Sequence, residues 1–325
     1  MVKKSVDNAE VCSVETSKLA AKCIERICEQ GFIDCDKLKS VEAVASIYHE
    51  SSCLVWRLCL KEGHPDRSHC YILKMAETSQ SSPFWQMMDS LFEVSIADNM
   101  LDGGFIYDFV RRMVPIAVPE YVRSSDMDEI VCLLMTYIDG STQEFGEITD
   151  DNVKVLAEYL AETHRNAVKG FGSLKSVLHG EGGFNPKNWQ ERLFNTLETL
   201  ASKDKKAAAR VAQFVEQTSK IKVQRFVPIM MDLRWDQFVY KDNRLNGVYD
   251  LDAYVSAPVE LDFVMLEYLL TEEQSIIFKK AYKESKGRIP KIGKVRELYR
   301  TFFFLVDMLG QTDYDKWMAQ PEFFK

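Results

Sequence analysis

The residues in this chain best equipped for chemistry are two aspartates with an amide between them. They lie in Asp232-Leu-Arg-Trp-Asp-Gln237 and in Val248-Tyr-Asp-Leu-Asp252. A carboxylate can take a proton from a hydroxyl, and carboxylate and amide oxygens suit a hard cation such as Mg2+. A base followed by such ligands is what phosphoryl transfer requires. The apolar run 226–231 reads as a short buried strand that delivers Asp232. Residues 237–240 and 245–249 read as a hairpin turning through Lys241-Asp-Asn-Arg244. Asp232 and Asp250 then stand at the ends of neighbouring short strands. Short Asp-rich motifs also occur on ordinary surface hairpins, so the remaining elements have to supply the context.

Composition sets the outer bounds. A chain of 325 residues, 46% hydrophobic and 28% charged, has the profile of a globular protein with an ample core. A formal net charge of -8 gives no basic footprint for nucleic acid or an anionic membrane, and it leaves room for a cationic ligand. No stretch approaches the roughly 18 apolar residues of a membrane span, and the opening residues lack the apolar core of a signal peptide. Eight cysteines occur without a Cys-x-x-Cys pair or zinc-type spacing, and they read as reduced, partly buried thiols of a cytoplasmic protein.

The elements that position the two aspartates follow from periodicity. A helix is expected over residues 13–30, stopped by Gly31, then strands over 42–48 and 53–60 joined by a turn containing Ser51 and Ser52. A third strand runs through His69-Cys-Tyr-Ile-Leu-Lys-Met-Ala76. Lys74, flanked by apolar residues in mid-strand, is costly to bury without a partner. The helix expected over 83–101 offers Glu93, with Asp89 and Asp98 as alternatives. Two more strands, over 115–122 and 130–138, complete a run of five. From Gly140 onward the pattern is helical, with helices over 149–165, 188–200, 205–218, 262–270, 272–285 and 294–309. His164, on an apolar helix stripe, reads as a core residue.

The ordered set resembles the aminoglycoside phosphotransferase/choline kinase family. That family's pattern is His-Gly-Asp, four residues, Asn, and then a hydrophobic-Asp-hydrophobic-acidic strand. Here Met230 and Met231 replace the His and Gly, and Gln237 stands where Asn is expected. The resemblance covers about residues 40 to 310. It implies a bilobal, protein-kinase-like α+β fold: residues 1–138 form a lobe with a five-stranded antiparallel sheet and a helix, and residues 139–325 form a mostly helical lobe. It further implies that ATP or GTP binds between the lobes and gives its γ-phosphate to a hydroxyl of a small molecule. Asp232 would be the base, and Asp250, with Gln237 and Asp252, would hold Mg2+. Lys74 would steady the nucleotide, paired to Glu93, while Ser51 and Ser52 would cover the phosphates. Met135 would line the adenine pocket, with the backbone of Thr136 and Ile138 bonding the base. Asp262 would brace the catalytic loop. The acidic balance favours a cationic acceptor. Against an enzyme stand the glycine-free phosphate turn and the three departures, which would also suit a catalytically silent module that binds nucleotide or a protein.

Overall fold

The computed structural model describes residues 21–31, 33–44, 52–61, 69–79, 82–127, 129–143, 147–202 and 204–325. Its first half is built on β1 (Leu38–Val44), β2 (Leu54–Leu60), β3 (Cys70–Glu77), β4 (Tyr121–Met127) and β5 (Ile130–Thr136). These pair antiparallel in the order β1-β2-β3-β5-β4. Five strands were expected, but the fourth lies further along than residues 115–122. Pro115 and Pro119 cannot donate to a ladder, and the apolar stretch between them makes a single bridge, Ala117 to Gly247. The edge strand is instead the polar Tyr-Val-Arg-Ser-Ser-Asp-Met, whose outer side needs no partner.

Period-2 alternation sends the sheet's side chains to two cores. Leu58, Leu60, Leu73, Met75, Cys132 and Leu134 pack under a helix over residues 21–29 (α1), which contributes Cys23 and Ile27. The rest of the helix expected over 13–30 lies outside the described residues. On the opposite face, Ala76, Val131, Leu133 and Met135 join the larger core. Lys74 shares that second face. The single helix expected over 83–101 is instead α2 (Pro83–Phe92) and α3 (Ile96–Leu101), followed by an unexpected α4 (Gly103–Met113). The break is local in origin. Glu93 ends α2 in the left-handed region at φ 53, and Ser95 starts α3 with a capping box to Asp98.

Beyond β5 the chain becomes mostly helical. α5 (Asp150–Arg165) has the expected bounds, with Thr149 as its cap. It is followed by β6 (Gly172–Ser173), α6 (Leu174–His179), α7 (Trp189–Ala201), α8 (Lys205–Gln213) and α9 (Val215–Thr218). Then come β7 (Phe226–Met230), the hairpin β8 (Phe238–Lys241) and β9 (Arg244–Val248), and β10 (Tyr254–Pro258), which pairs with β6 and β7. α10 (Glu260–Leu269), α11 (Glu272–Glu284), α12 (Arg296–Leu305) and α13 (Tyr314–Met318) complete the chain. Asp242 and Asn243 turn the hairpin with φ of 51 and 60, residue types that tolerate the left-handed region. Gly140 lies where a side chain cannot: a Cβ would approach the Tyr240 carbonyl oxygen to 2.5 Å. There Ser141 and Tyr240 exchange two backbone hydrogen bonds, of 2.9 and 2.8 Å, and tie the chain leaving the sheet to the hairpin.

Two cystines, Cys28–Cys35 and Cys59–Cys70, correct the expectation of wholly reduced thiols. Cys59 and Cys70 are directly opposed on β2 and β3, so strand register alone brings them together. Among the described residues no helix is long and apolar enough to cross a membrane.

Candidate active site

Lys74 is 1% exposed on β3, and an ammonium so buried requires compensation. It finds this in the irregular stretch between β9 and β10. Nζ lies 2.7 Å from Asp250 Oδ1 and also contacts Asp252 Oδ2. Burial opposes the lysine's charge, yet the Asp250 and Asp252 carboxylates override it and hold the ammonium well above the usual lysine range. Glu93 is not the partner. At the C-terminus of α2 it is 67% exposed, 3.4 Å from Arg192, because the helix that would have carried it inward breaks there. Of the alternatives, Asp98 is committed to the cap of α3.

Asp232 follows β7 in the loop leading to a 3-10 turn, Trp235–Gln237. Trp235 Nε1 donates to Leu269 O (2.9 Å), and Tyr240 Oη donates to Trp235 O (3.2 Å), so the loop is anchored on both sides. Asp262, expected to brace this loop, instead bonds His164 Nε2 at 2.7 Å, and His164 Nδ1 meets Tyr282 Oη at 2.9 Å. His164 is thus a buried link between α5, α10 and α11. Gln237 Nε2 donates to Asp232 Oδ2 (2.9 Å), which orients the carboxylate. The other oxygen, Oδ1, is buried with no partner among the described residues. Burial, reinforced by the charge of Asp250, pushes the Asp232 carboxyl up to about 7, against the pull of Arg234 and Lys74. Arg234 forms a two-pronged pair with Asp236, 3.0 and 3.2 Å. Asp252, raised mainly by burial, also keeps one oxygen unpartnered, and Cys53 Sγ donates to its Oδ2 at 3.6 Å.

These groups line one cavity of about 510 Å3. Asp232, Gln237, Asp250 and Asp252 sit on its wall with Ser52, and Lys74 reaches it through its two aspartates. Ser51 lies outside the described residues. Met135 is fully buried in the core and is absent from the wall. The Thr136 amide donates to Glu120 O (2.9 Å), so that N–H is committed to the sheet edge. Thr136 and Ile138 are likewise absent from the wall. Sequence reasoning missed Cys53 and the aromatic pair Phe84 and Trp85, which also border the cavity. The apolar stripe of α2 carried the only signal for the pair.

No protein-family model matches the chain, and no curated protein matches its sequence. Solved structures do match its fold. Macrolide 2′-phosphotransferase MphH from Brachybacterium faecium is 12% identical with a TM-score of 0.60, covering 93% of this chain and 99% of its own. The aminoglycoside phosphotransferase APH(4)-Ia, in a ternary complex with AMP-PNP and hygromycin B, is 12% identical with a TM-score of 0.58, covering 90% and 94%. Choline kinase from Cryptosporidium parvum is 11% identical with a TM-score of 0.56, covering 92% of each chain. The chain therefore has the protein-kinase-like fold, with a five-stranded antiparallel sheet followed by a largely helical half.

Proposed function

We propose that this protein transfers the γ-phosphate of ATP or GTP to a hydroxyl of a small molecule, with Asp232 as the base. One observation carries the reading. A buried strand lysine is held by two carboxylates of an irregular segment, and across the same cavity stands an aspartate with an unbonded oxygen and a raised pKa. The lobe division falls between residues 138 and 139, just before Gly140. The solved neighbours that hold AMP-PNP or ADP support the use of a nucleotide.

The residues fit a magnesium–nucleotide pair. Mg2+ is usually held by one or two carboxylates, with phosphates and water supplying the rest. Among the described residues no group of three His, Cys, Asp or Glu forms a dedicated metal cage, while Asp252 and Asp232 each keep an unpartnered buried oxygen. Asp250 and Asp252, with the Gln237 carbonyl, would hold the ion, whose chemistry is to neutralise charge on the β- and γ-phosphates. Lys74 would hold the nucleotide phosphates, and Ser51 and Ser52 would cover them. The acceptor oxygen attacks phosphorus, the bond to the β-phosphate oxygen breaks, and the acceptor proton passes to the Asp232 carboxylate. Gln237 fixes one carboxylate oxygen and so orients the group, and the rate gain comes from positioning and charge complementarity. Asp307 on the same wall, which Phe84 and Trp85 also line, suits a cationic acceptor.

The test is thermal stability with ATP or GTP, each with and without Mg2+, followed by ADP formation with hydroxylated acceptors. A ligand bound only by the folded state adds about 2.7 kcal/mol at a hundredfold excess over its Kd. A magnesium-dependent shift that disappears in Asp250→Ala, with turnover lost in Asp232→Asn, is the expected result. No shift with either nucleotide would refute the reading. A shift without turnover across acceptor classes would favour the silent module, for which the glycine-free phosphate turn is the motive.

A further inference from the structure

The stretch between β9 and β10 carries both carboxylates that meet Lys74, yet residues 249–253 belong to no strand. Its carbonyls therefore need partners from elsewhere. Leu251 O and Ala253 O accept the backbone amides of Tyr254 and Met231, and two buried side chains from the helices on the sheet's second face reach the carbonyls of Tyr249 and Asp252, and of Tyr254 at the start of β10. Asn99, on α3 and 2% exposed, donates from Nδ2 to Asp252 O at 2.7 Å and to Tyr254 O at 3.1 Å. Tyr107, on α4 and 1% exposed, donates its hydroxyl to Tyr249 O at 2.8 Å. The three carbonyls bracket Asp250 and Asp252.

From this geometry we infer that Asn99 and Tyr107 are positioning residues. They fix the acidic segment and so set where Asp250 and Asp252 aim. The inference rests on the proposed magnesium–nucleotide site. In a kinase-like site a helix glutamate that grips the strand lysine couples helix position to nucleotide binding. Here Glu93 points away, and the helices reach past Lys74 to grip the backbone that carries its counter-ions. Lys74 binds the side chains of this segment while Asn99 and Tyr107 bind its main chain, so the sheet and both helices hold one stretch. A shift of α3 and α4 against the sheet would move the two carboxylates relative to the lysine.

The test titrates Mg2+ while following the ATP-induced rise in melting temperature. It compares wild type with Asn99→Ala, Tyr107→Phe and a control, Leu197→Ala, which removes only packing in α7. The Mg2+ concentration giving half the full shift should rise about tenfold in Asn99→Ala and Tyr107→Phe, as losing a residue that orients ligands typically does. It should stay at the wild-type value in Leu197→Ala, even where that variant melts lower. A midpoint unchanged in Tyr107→Phe, which loses one hydroxyl and keeps its ring, would overturn the inference whether or not Asn99→Ala folds. A wild-type protein with no magnesium-dependent shift would instead refute the proposed function, and this inference with it.

Discussion

If Asp232 is the base, its ionisation governs the reaction, and the structure indicates where that ionisation falls. Burial pushes the carboxyl up to about 7, Asp250 adds to the shift, and Arg234 and Lys74 oppose it. For a single titration, the fraction of base in its working form is then about one half at pH 7 and about one tenth at pH 6. Because kcat/KM reports the free enzyme, it should fall about tenfold per pH unit below neutrality and level off above pH ~8. Arg234→Gln removes a charge that favours the carboxylate, so the limb should move to higher pH by about one unit. Asp232→Asn should lower kcat/KM by roughly a hundred- to ten-thousandfold.

Stability carries the opposite sign. A carboxyl whose folded pKa exceeds its unfolded one contributes fully below the unfolded value, and that contribution is lost as pH rises through the folded value. Asp232→Asn, which never ionises, should therefore melt a few degrees above wild type at pH ~8, and the difference should shrink towards pH ~4. The assay is initial-rate phosphate transfer at saturating Mg2+, with melting curves in the same buffers. A flat kcat/KM between pH ~5.5 and ~8.5, or a limb unmoved in Arg234→Gln, would refute this account of Asp232.

Two further outcomes concern the frame. Glu267, whose side chain is fully buried, accepts from Arg296 Nε (3.0 Å), Arg300 (2.7 Å) and the amides of Phe323 (2.9 Å) and Phe324 (3.2 Å). Glu267→Gln should cost about 3–5 kcal/mol by leaving two guanidinium groups without their shared counter-charge; denaturant unfolding checks this, and a loss below about 1 kcal/mol would contradict it. The two cystines close short loops worth about 2.5 kcal/mol each, so a thiol reductant should lower the melting temperature. Four cysteines should also resist alkylation in the denatured, unreduced protein, by mass.

The strands and turns that carry the candidate residues were readable from the chain, because strand periodicity and turn chemistry act locally. Lys74 lies within a strand as expected, the Lys241–Arg244 turn is where Asp242 and Asn243 imply, and Asp232, Gln237, Asp250 and Asp252 line one cavity. The Lys74–Glu93 pair failed because its spacing assumed one uninterrupted helix, whereas Glu93 to Ser95 breaks it and turns the glutamate outward. The cystine across β2 and β3 follows from strand register, which cysteine spacing alone does not state. Asn99 and Tyr107 were invisible for a different reason: their partners are main-chain carbonyls, which every residue has, so nothing at positions 249, 252 or 254 marks the contact. These two kinds of miss are linked. With the helix broken at Glu93, the carboxylates that meet Lys74 among the described residues are those of the acidic segment, Asp250 and Asp252. Asp250 and Asp252 thus do the charge pairing that a glutamate on an unbroken helix would have done, and Asn99 and Tyr107 tie the segment that carries them to the helices.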